Sequence, residues 1–228
     1  MSDAATGTMT AATRGAGATA NEPRPLVRLF GFARWTIHVM LASGALALLG
    51  GAAGYAVGPE YLMGDYGYPE TALGEAVMFA FFLGFAGFYV AFFVSAVAVC
   101  RFVFRAMRNL HLVGAPSAEM APGWAVGWYF VPIANLFKPV EGMRQIVDGS
   151  REAAGKGTDD APSLALWWGT WLTGSVVGNV AETLTDASAA LGADLVSIAL
   201  LMVSAWALLR HMRRVTDTQQ GVIASRVF

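Results

Sequence analysis

The chain has 228 residues, of which 56% are hydrophobic and 14% are charged. Soluble domains carry about 25% charged residues, so this composition excludes an ordinary soluble domain. The net charge of -1 disfavours a nucleic-acid partner, and the single cysteine, Cys100, excludes an intramolecular disulfide and any CxxC motif.

Residues 1–25 are rich in Ala, Thr and Gly and contain few apolar side chains. Such a composition cannot offset the entropy cost of ordering the chain, so we predict a disordered tail. The tail lacks the basic start and the adjoining apolar stretch of a signal peptide. We therefore expect the apolar segment that follows to remain in the mature protein.

Four apolar stretches predict an all-α membrane protein with four transmembrane helices. About 20 apolar residues in a helix cross a hydrocarbon core of about 30 Å. These spans form a predicted four-helix membrane domain over residues 26–215, which a C-terminal tail over residues 216–228 follows. The predicted spans cover about residues 35–57, 76–100, 164–181 and 195–209.

Basic residues occur on only one side of the predicted spans. The loop of residues 58–75 and the segment of residues 182–194 contain acidic side chains but no Lys or Arg. Because Lys and Arg near span ends are retained in the cytoplasm, we predict that both termini and the central loop are cytoplasmic. Arg outnumbers Lys and Ala and Gly are abundant, which is typical of a GC-rich bacterial genome and indicates the bacterial plasma membrane.

The central loop contains an apolar stretch within residues 123–139 that is too short to cross the membrane. Its apolar part of about 14 residues would give a helix of about 21 Å, against a core of about 30 Å. Pro132 predicts a bend or break, and Trp124 and Trp128 suit the level of the lipid headgroups. We predict an interfacial or re-entrant element within an interfacial segment of residues 123–154.

Residues after Pro139 have the periodicity of an amphipathic helix. Val140, Met143 and Val147 recur at helical spacing, while charged residues occupy the rest of the helical wheel. We predict that this helix lies on the inner leaflet.

Small residues recur at four-residue intervals in three of the predicted spans. Such rows let helices approach closely in lipid, and we expect them to pack helices within one bundle, with dimerisation as the alternative. The rows are Gly50, Gly54 and Gly58; Ala76, Ala80 and Gly84; and Thr170, Gly174 and Gly178.

The chain from Arg101 onward carries a pattern of charged, polar and aromatic positions. They are Arg101, Arg105, Ala106, Asn109 and Leu110, the block PGWAVGWYFVPIANLFKP at residues 122–139, and Trp167, Trp168 and Trp171. This pattern resembles the bacterial family called domain of unknown function 4328, over about residues 30–215. The resemblance implies a bacterial multispan membrane protein, without an activity or catalytic residues.

The end of the second span provides candidate binding residues. Arg101, Arg105 and Arg108 share one helix face and are predicted to engage anionic headgroups or an acidic partner, with anchoring of the span as the alternative. Asn135 is predicted to satisfy backbone groups freed at Pro132, with ligand contact as the alternative. The candidate lipid- or partner-binding residues are Arg101, Arg105, Arg108, Trp124, Trp128, Asn135 and Lys138.

Local catalytic signatures do not occur in the chain. It has no GxSxG, HExxH or P-loop motif and no GxGxxG at a strand-to-helix turn, so we expect neither enzymatic activity nor a cofactor. A metal site shared by His38, His111 and His211 is a less favoured alternative, because their spacing is non-local.

These features favour a non-enzymatic membrane module that binds membrane lipids, including anionic lipids, or another membrane protein, including a second copy of the chain. The alternative is a passive permease or channel for a small neutral solute, with Thr170, Thr173 and Asn179 facing a cavity. The third interpretation is a membrane enzyme that uses the histidines at the inner face.

Reporter fusions test the predicted orientation. A reporter after Gly67 or Ser188 should lie outside the cytoplasm and a reporter after Phe228 inside it, because the basic residues flank only the cytoplasmic side. Paired alkaline phosphatase and fluorescent-protein activities measure this directly. A reporter on the opposite side at any of the three positions would contradict the topology.

Overall fold

The computed structural model describes residues 22–58, 62, 69, 71–157 and 163–225, and every regular element in these residues is helical. The predicted all-α class is therefore confirmed. Two single-turn 3-10 helices, Trp128–Phe130 and Ala134–Leu136, join α3 to α4. The α-helices are α1 (Val27–Val57), α2 (Ala72–Val113), α3 (Pro122–Gly127), α4 (Lys138–Ala153), α5 (Ala165–Ala181) and α6 (Ala187–Ser225).

Three of these helices are long and apolar enough to cross a membrane. They are the 29 residues Val27–Tyr55 of α1, the 42 residues of α2 and the 39 residues of α6. In α2 the mean hydropathy reaches 2.3 while only 22% of the most apolar stretch is buried, as expected of a surface that faces lipid. The predicted third span corresponds to α5, whose 17 residues give a helix of about 26 Å.

Hydrogen bonds between helix ends show how α1, α2 and α6 run. The start of α1 lies beside the end of α2, where the Asn109 amide donates to the Arg24 carbonyl. At the other end of α1, the Tyr55 hydroxyl donates to the Ser188 carbonyl at the start of α6. The Asn109 amide also donates to Gln219 near the end of α6. Thus α2 and α6 run in the same direction, and α1 runs antiparallel to both.

Helix α5, which corresponds to the predicted third span, runs antiparallel to α6. The Ser204 hydroxyl donates to the Trp167 carbonyl and the Ser197 hydroxyl donates to the Gly174 carbonyl, each over 2.9 Å. Helix α1 packs between α2 and α6, and α5 packs on α6. Within the described residues, α2 and α5 do not pack extensively against each other, which leaves a cleft between these two outer helices.

Small residues mediate the close helix contacts, as the packing interpretation predicted. A Cβ atom added at Gly50 would lie 2.7 Å from the backbone nitrogen of Phe81, and one added at Gly84 would collide with the backbone of Ala47. At Gly174 an added Cβ would lie 3.1 Å from the Leu200 side chain. These three contacts are within one chain, joining α1 to α2 and α5 to α6.

The predicted break at Pro132 is present between the two 3-10 helices. Ile133 has a positive φ of 66°, which is unusual for a β-branched residue. The freed backbone groups bond locally, because the amide of Ala134 donates to Pro132 over 2.8 Å and the amide of Asn135 donates to Val131 over 2.9 Å.

The predicted amphipathic helix is present, but its apolar face contacts protein rather than lipid. Met143, Ile146 and Val147 of α4 are buried, and the helix packs on α2 and α6. The reason is that α2 and α6 continue as helices beyond the predicted spans, to Val113 and Ser225. The apolar side chains of α2 and α6 therefore cover the apolar face of α4, which the prediction placed against lipid.

The ordered structure also extends into both predicted tails. Within the predicted N-terminal tail, the Arg24 amide donates to the Asn109 side chain over 3.0 Å, so the bundle begins before α1. In the predicted C-terminal tail, Gln219 and Val222 are buried in α6. The rest of the predicted N-terminal tail, residues 1–21, lies outside the described residues.

Replacing Gly84 by Ala should destabilise the bundle by about 1–3 kcal/mol, because the added methyl group overpacks the contact with α1. Thermal unfolding in detergent or nanodiscs measures the effect. The matched control is Gly31→Ala, where an added Cβ has nothing within 4 Å and removal of a helical glycine should stabilise the protein. Equal effects at the two glycines would contradict the packing described here.

Candidate functional site

A buried network of polar side chains joins the helices at the end of the bundle where α1 starts and α2 and α6 end, which we call the inner end. The Asn109 amide donates to the Arg24 carbonyl over 2.9 Å and to the Gln219 side-chain oxygen over 3.0 Å. In turn, the Gln219 amide donates to the Ser150 hydroxyl over 3.0 Å and to the Ala106 carbonyl over 3.3 Å. Since Asn109, Gln219 and Ser150 are at most 3% exposed, this network fixes α2, α4, α6 and the segment before α1 relative to each other.

Further hydrogen bonds hold the loop between α2 and α3 against α4. The Ser117 amide donates to the Glu152 carboxylate over 3.1 Å, and the Met120 amide donates to the Gln145 side chain over 2.8 Å. Pro122 then begins α3, where its missing amide hydrogen costs nothing. Residues 123–137, which precede α4 and are called the interfacial segment below, thereby begin beside α2.

The end of the interfacial segment is attached to α5. The Trp168 indole donates to the Leu136 carbonyl over 2.8 Å. Because the segment begins beside α2 and ends at α5, it bridges the inner end of the cleft between these helices.

The first cavity is a basic pocket of about 410 Å³ beside residues 100–105 of α2. Arg101 is exposed and Arg105 is partly exposed, and both residues line this pocket. The pocket lies between α1, α2 and α3. Its other lining residues are Leu29, Cys100, Phe104, Gly123 and Val126.

The second cavity is an apolar pocket of about 150 Å³ in the cleft. Trp167, Trp168 and Trp171 of α5 form one wall, and residues of α1, α2 and α6 form the others. Its lining includes Ser95 and Tyr129, whose buried hydroxyl groups have no hydrogen-bond partner. Burial raises the pKa of the Tyr129 phenol, so this hydroxyl remains protonated at neutral pH and can donate.

The two cavities meet at Cys100, which lines both. Ala96, Cys100 and Phe104 follow each other at intervals of one helical turn along α2. Ala96 and Phe104 are exposed and Cys100 is partly exposed, so a continuous surface of α2 connects the basic pocket to the apolar pocket.

The structure brings some of the predicted site residues together. Arg101 and Arg105 share the basic pocket, whereas Lys138 forms an ion pair of 2.7 Å with Glu141. The rings of Trp124 and Trp128 lie 4.6 Å apart, and Trp124 is 54% exposed.

Two further predicted residues differ from the expectation. Arg108 belongs to the same helix face as Arg105 but is not among the residues that line the basic pocket. The Asn135 side-chain oxygen is buried without a partner, so this oxygen does not bond the broken backbone as predicted. Neighbouring backbone groups do so instead.

The alternative functional clusters do not assemble in the described part of the chain. His38 contacts the Arg34 carbonyl and His111 contacts the Met120 carbonyl, and no group of three His, Cys, Asp or Glu residues that could hold a metal ion occurs there. In the proposed solute row, the Thr170 hydroxyl donates to Leu166 within its own helix. The α5 residues that line the apolar cavity are the tryptophans.

Sequence reasoning missed Ser95, Tyr129 and the Asn109–Gln219 pair. A serine in an apolar span looks like any other small packing residue, and Tyr129 stands in a run of aromatic residues. The amide pair joins positions 110 residues apart, which no local pattern indicates.

Comparison with known proteins gives one result. A family model described as Domain of unknown function (DUF4328) matches residues 67–218, which is more than half of the chain. No curated protein and no solved structure matches.

Proposed function

The chain belongs to the DUF4328 family, and we propose that it is a non-enzymatic module of the bacterial plasma membrane that binds an anionic phospholipid. The observation that carries this proposal is the pair Arg101 and Arg105 in an open pocket beside the lipid-facing surface of α2. Guanidinium groups bind phosphate through two parallel hydrogen bonds and are the preferred partners of phosphate in proteins.

The proposal includes four membrane crossings. Helices α2 and α6 run in the same direction, so the chain that joins the end of α2 to the start of α6 has to return across the membrane once. Helix α5 is the apolar helix in that connection, and it runs antiparallel to α6 as a crossing requires. Its length of about 26 Å is a few ångströms short, a mismatch that costs only fractions of a kcal/mol per Å.

The same proposal places the basic pocket at the cytoplasmic face. With four crossings both termini lie on one side, and every Lys and Arg falls on that side. The positive-inside tendency makes this the cytoplasm. The cytoplasmic leaflet is also where anionic lipids give a negative surface potential, so Arg101 and Arg105 would meet their ligand there.

The interfacial segment supports a position at headgroup level. Trp124, Phe130, Ile133 and Phe137 are each at least 51% exposed although the segment is attached to α4 and α5. Large apolar side chains that remain exposed at the edge of a membrane bundle are typical of insertion into the interface. The segment would then lie in the inner leaflet, as a re-entrant or interfacial element.

Replacing Arg101 and Arg105 together by Gln should weaken binding of anionic phospholipid. Each basic residue near the membrane surface contributes about 1 kcal/mol, so loss of both should reduce the affinity by about 25-fold. Native mass spectrometry, with phosphatidylglycerol titrated against phosphatidylcholine, measures the preference.

The matched control removes two exposed arginines elsewhere, Arg144→Gln with Arg213→Gln. Arg144 lies on α4, and Arg213 is 76% exposed with only a 3.9 Å pair to Asp217. This control has the same net charge as the test variant and should keep the preference for phosphatidylglycerol. If the two double variants lose the preference equally, the pocket is not the binding site and only general charge attraction remains.

A further inference from the structure

The apolar cavity contains two hydroxyl groups whose hydrogen bonds are not satisfied by the protein. Ser95 is 4% exposed, and both its Oγ and the hydroxyl of Tyr129 lack a partner. Buried hydroxyl groups are nearly always paired, because an unpaired one has lost its bonds to water without replacement. The third hydroxyl of the cavity, Ser204, is already bonded to the Trp167 carbonyl. The two free donors therefore indicate a ligand with an acceptor oxygen.

The rest of the lining indicates that this ligand is mainly apolar. Apart from the hydroxyls, the walls are formed by aliphatic and aromatic side chains and by the Cys100 thiol. A cavity of about 150 Å³ lined by apolar side chains takes up benzene, which has six carbon atoms. The cavity of about 150 Å³ thus has room for a short hydrocarbon stretch beside one polar group.

We propose that the cavity holds the ester group and the first part of one acyl chain of the same phospholipid whose phosphate binds Arg101 and Arg105. An ester carbonyl oxygen has two lone pairs, so it accepts from Tyr129 and from Ser95 together. This assignment rests on the proposed function and adds to it that the ligand is an ester-linked diacyl lipid.

The spacing along α2 fits such a lipid. Ser95 lies six residues before Arg101, which is about 9 Å along a helix. The polar layer of one leaflet is about 5–7 Å thick, so Ser95 is near the boundary with the hydrocarbon when Arg101 is at phosphate level. Ester groups of phospholipids occupy this boundary.

A path for the lipid connects the two cavities. The surface formed by Ala96, Cys100 and Phe104 is at least partly exposed, and Cys100 contributes to both cavities. The lipid enters sideways through the cleft between α2 and α5, and the remainder of its chains lies along the exposed apolar surface of α2. The interfacial segment, through Tyr129, closes the cleft at its inner end.

Ester-linked and ether-linked phosphatidylglycerols distinguish this inference from headgroup binding alone, because they share headgroup and chains and differ in the carbonyl. Native mass spectrometry of the full chain, released from nanodiscs that contain both lipids, measures their relative binding. The unmodified protein should prefer the ester lipid by about 25-fold, the value of two net hydrogen bonds. Equal binding of the two lipids would overturn the inference without any mutation.

Variants identify the donors. Tyr129→Phe combined with Ser95→Ala should abolish the ester preference, so that the ester and ether lipids bind equally. The preference for phosphatidylglycerol over phosphatidylcholine should remain. Tyr89→Phe is the matched control, since Tyr89 is 38% exposed and does not line the cavity. An ester preference that survives the double variant would overturn the assignment of the donors.

The two proposals fail in different ways. Loss of ester preference in the double variant, with the Arg101 and Arg105 effect intact, supports both. An ester preference that depends on Tyr129 and Ser95, but without any effect of the arginines, supports the carbonyl contact and overturns the headgroup site. An arginine effect without any ester preference overturns the carbonyl contact and leaves the headgroup site standing.

Discussion

The hydrogen bond between the side chains of Asn109 and Gln219 is the contact on which the arrangement of the inner half of the molecule depends. Both amides are buried, where an unpaired polar group is costly, so each requires the other. Together they join α2 to α6, and Gln219 extends the connection to Ser150 on α4. With α4 fixed against the two long helices, the loop before α3 forms hydrogen bonds to α4. The interfacial segment then extends from α2 to α5, where Trp168 bonds to it.

This arrangement creates two cavities of different chemistry at neighbouring depths. Arg101 and Arg105 of α2 line one cavity, while the wall that Trp167, Trp168 and Trp171 form in the other is apolar. A phospholipid has the same order of groups along its length: a charged phosphate, then polar ester carbonyls, then hydrocarbon. The interfacial segment contributes to both cavities, through Val126 in one and Tyr129 in the other. Its geometry therefore matters to both halves of the proposed site.

The sequence predicts the long helices well and the inner half of the bundle poorly. Helices α1, α2 and α6 are apolar over lengths that only a membrane requires, and the break at Pro132 follows from the chemistry of proline alone. The periodicity of α4 predicts a helix with one apolar face, but it does not predict what that face contacts. Both lipid and protein can cover an apolar helix face. Arg101 and Arg105 were identifiable as charges at a span end. Ser95 and Tyr129 were not, since their missing partners are visible only after folding.

A double-mutant cycle on Asn109 and Gln219 tests the central contact most directly. Thermal unfolding in nanodiscs would be measured for the unmodified protein, for Asn109→Ala, for Gln219→Ala and for the double variant. Residues in one buried network have interaction energies of about 0.5–3 kcal/mol, and we predict a coupling in this range. Additive effects, with a coupling near zero, would contradict the account and show that the inner half of the bundle is held together by other contacts.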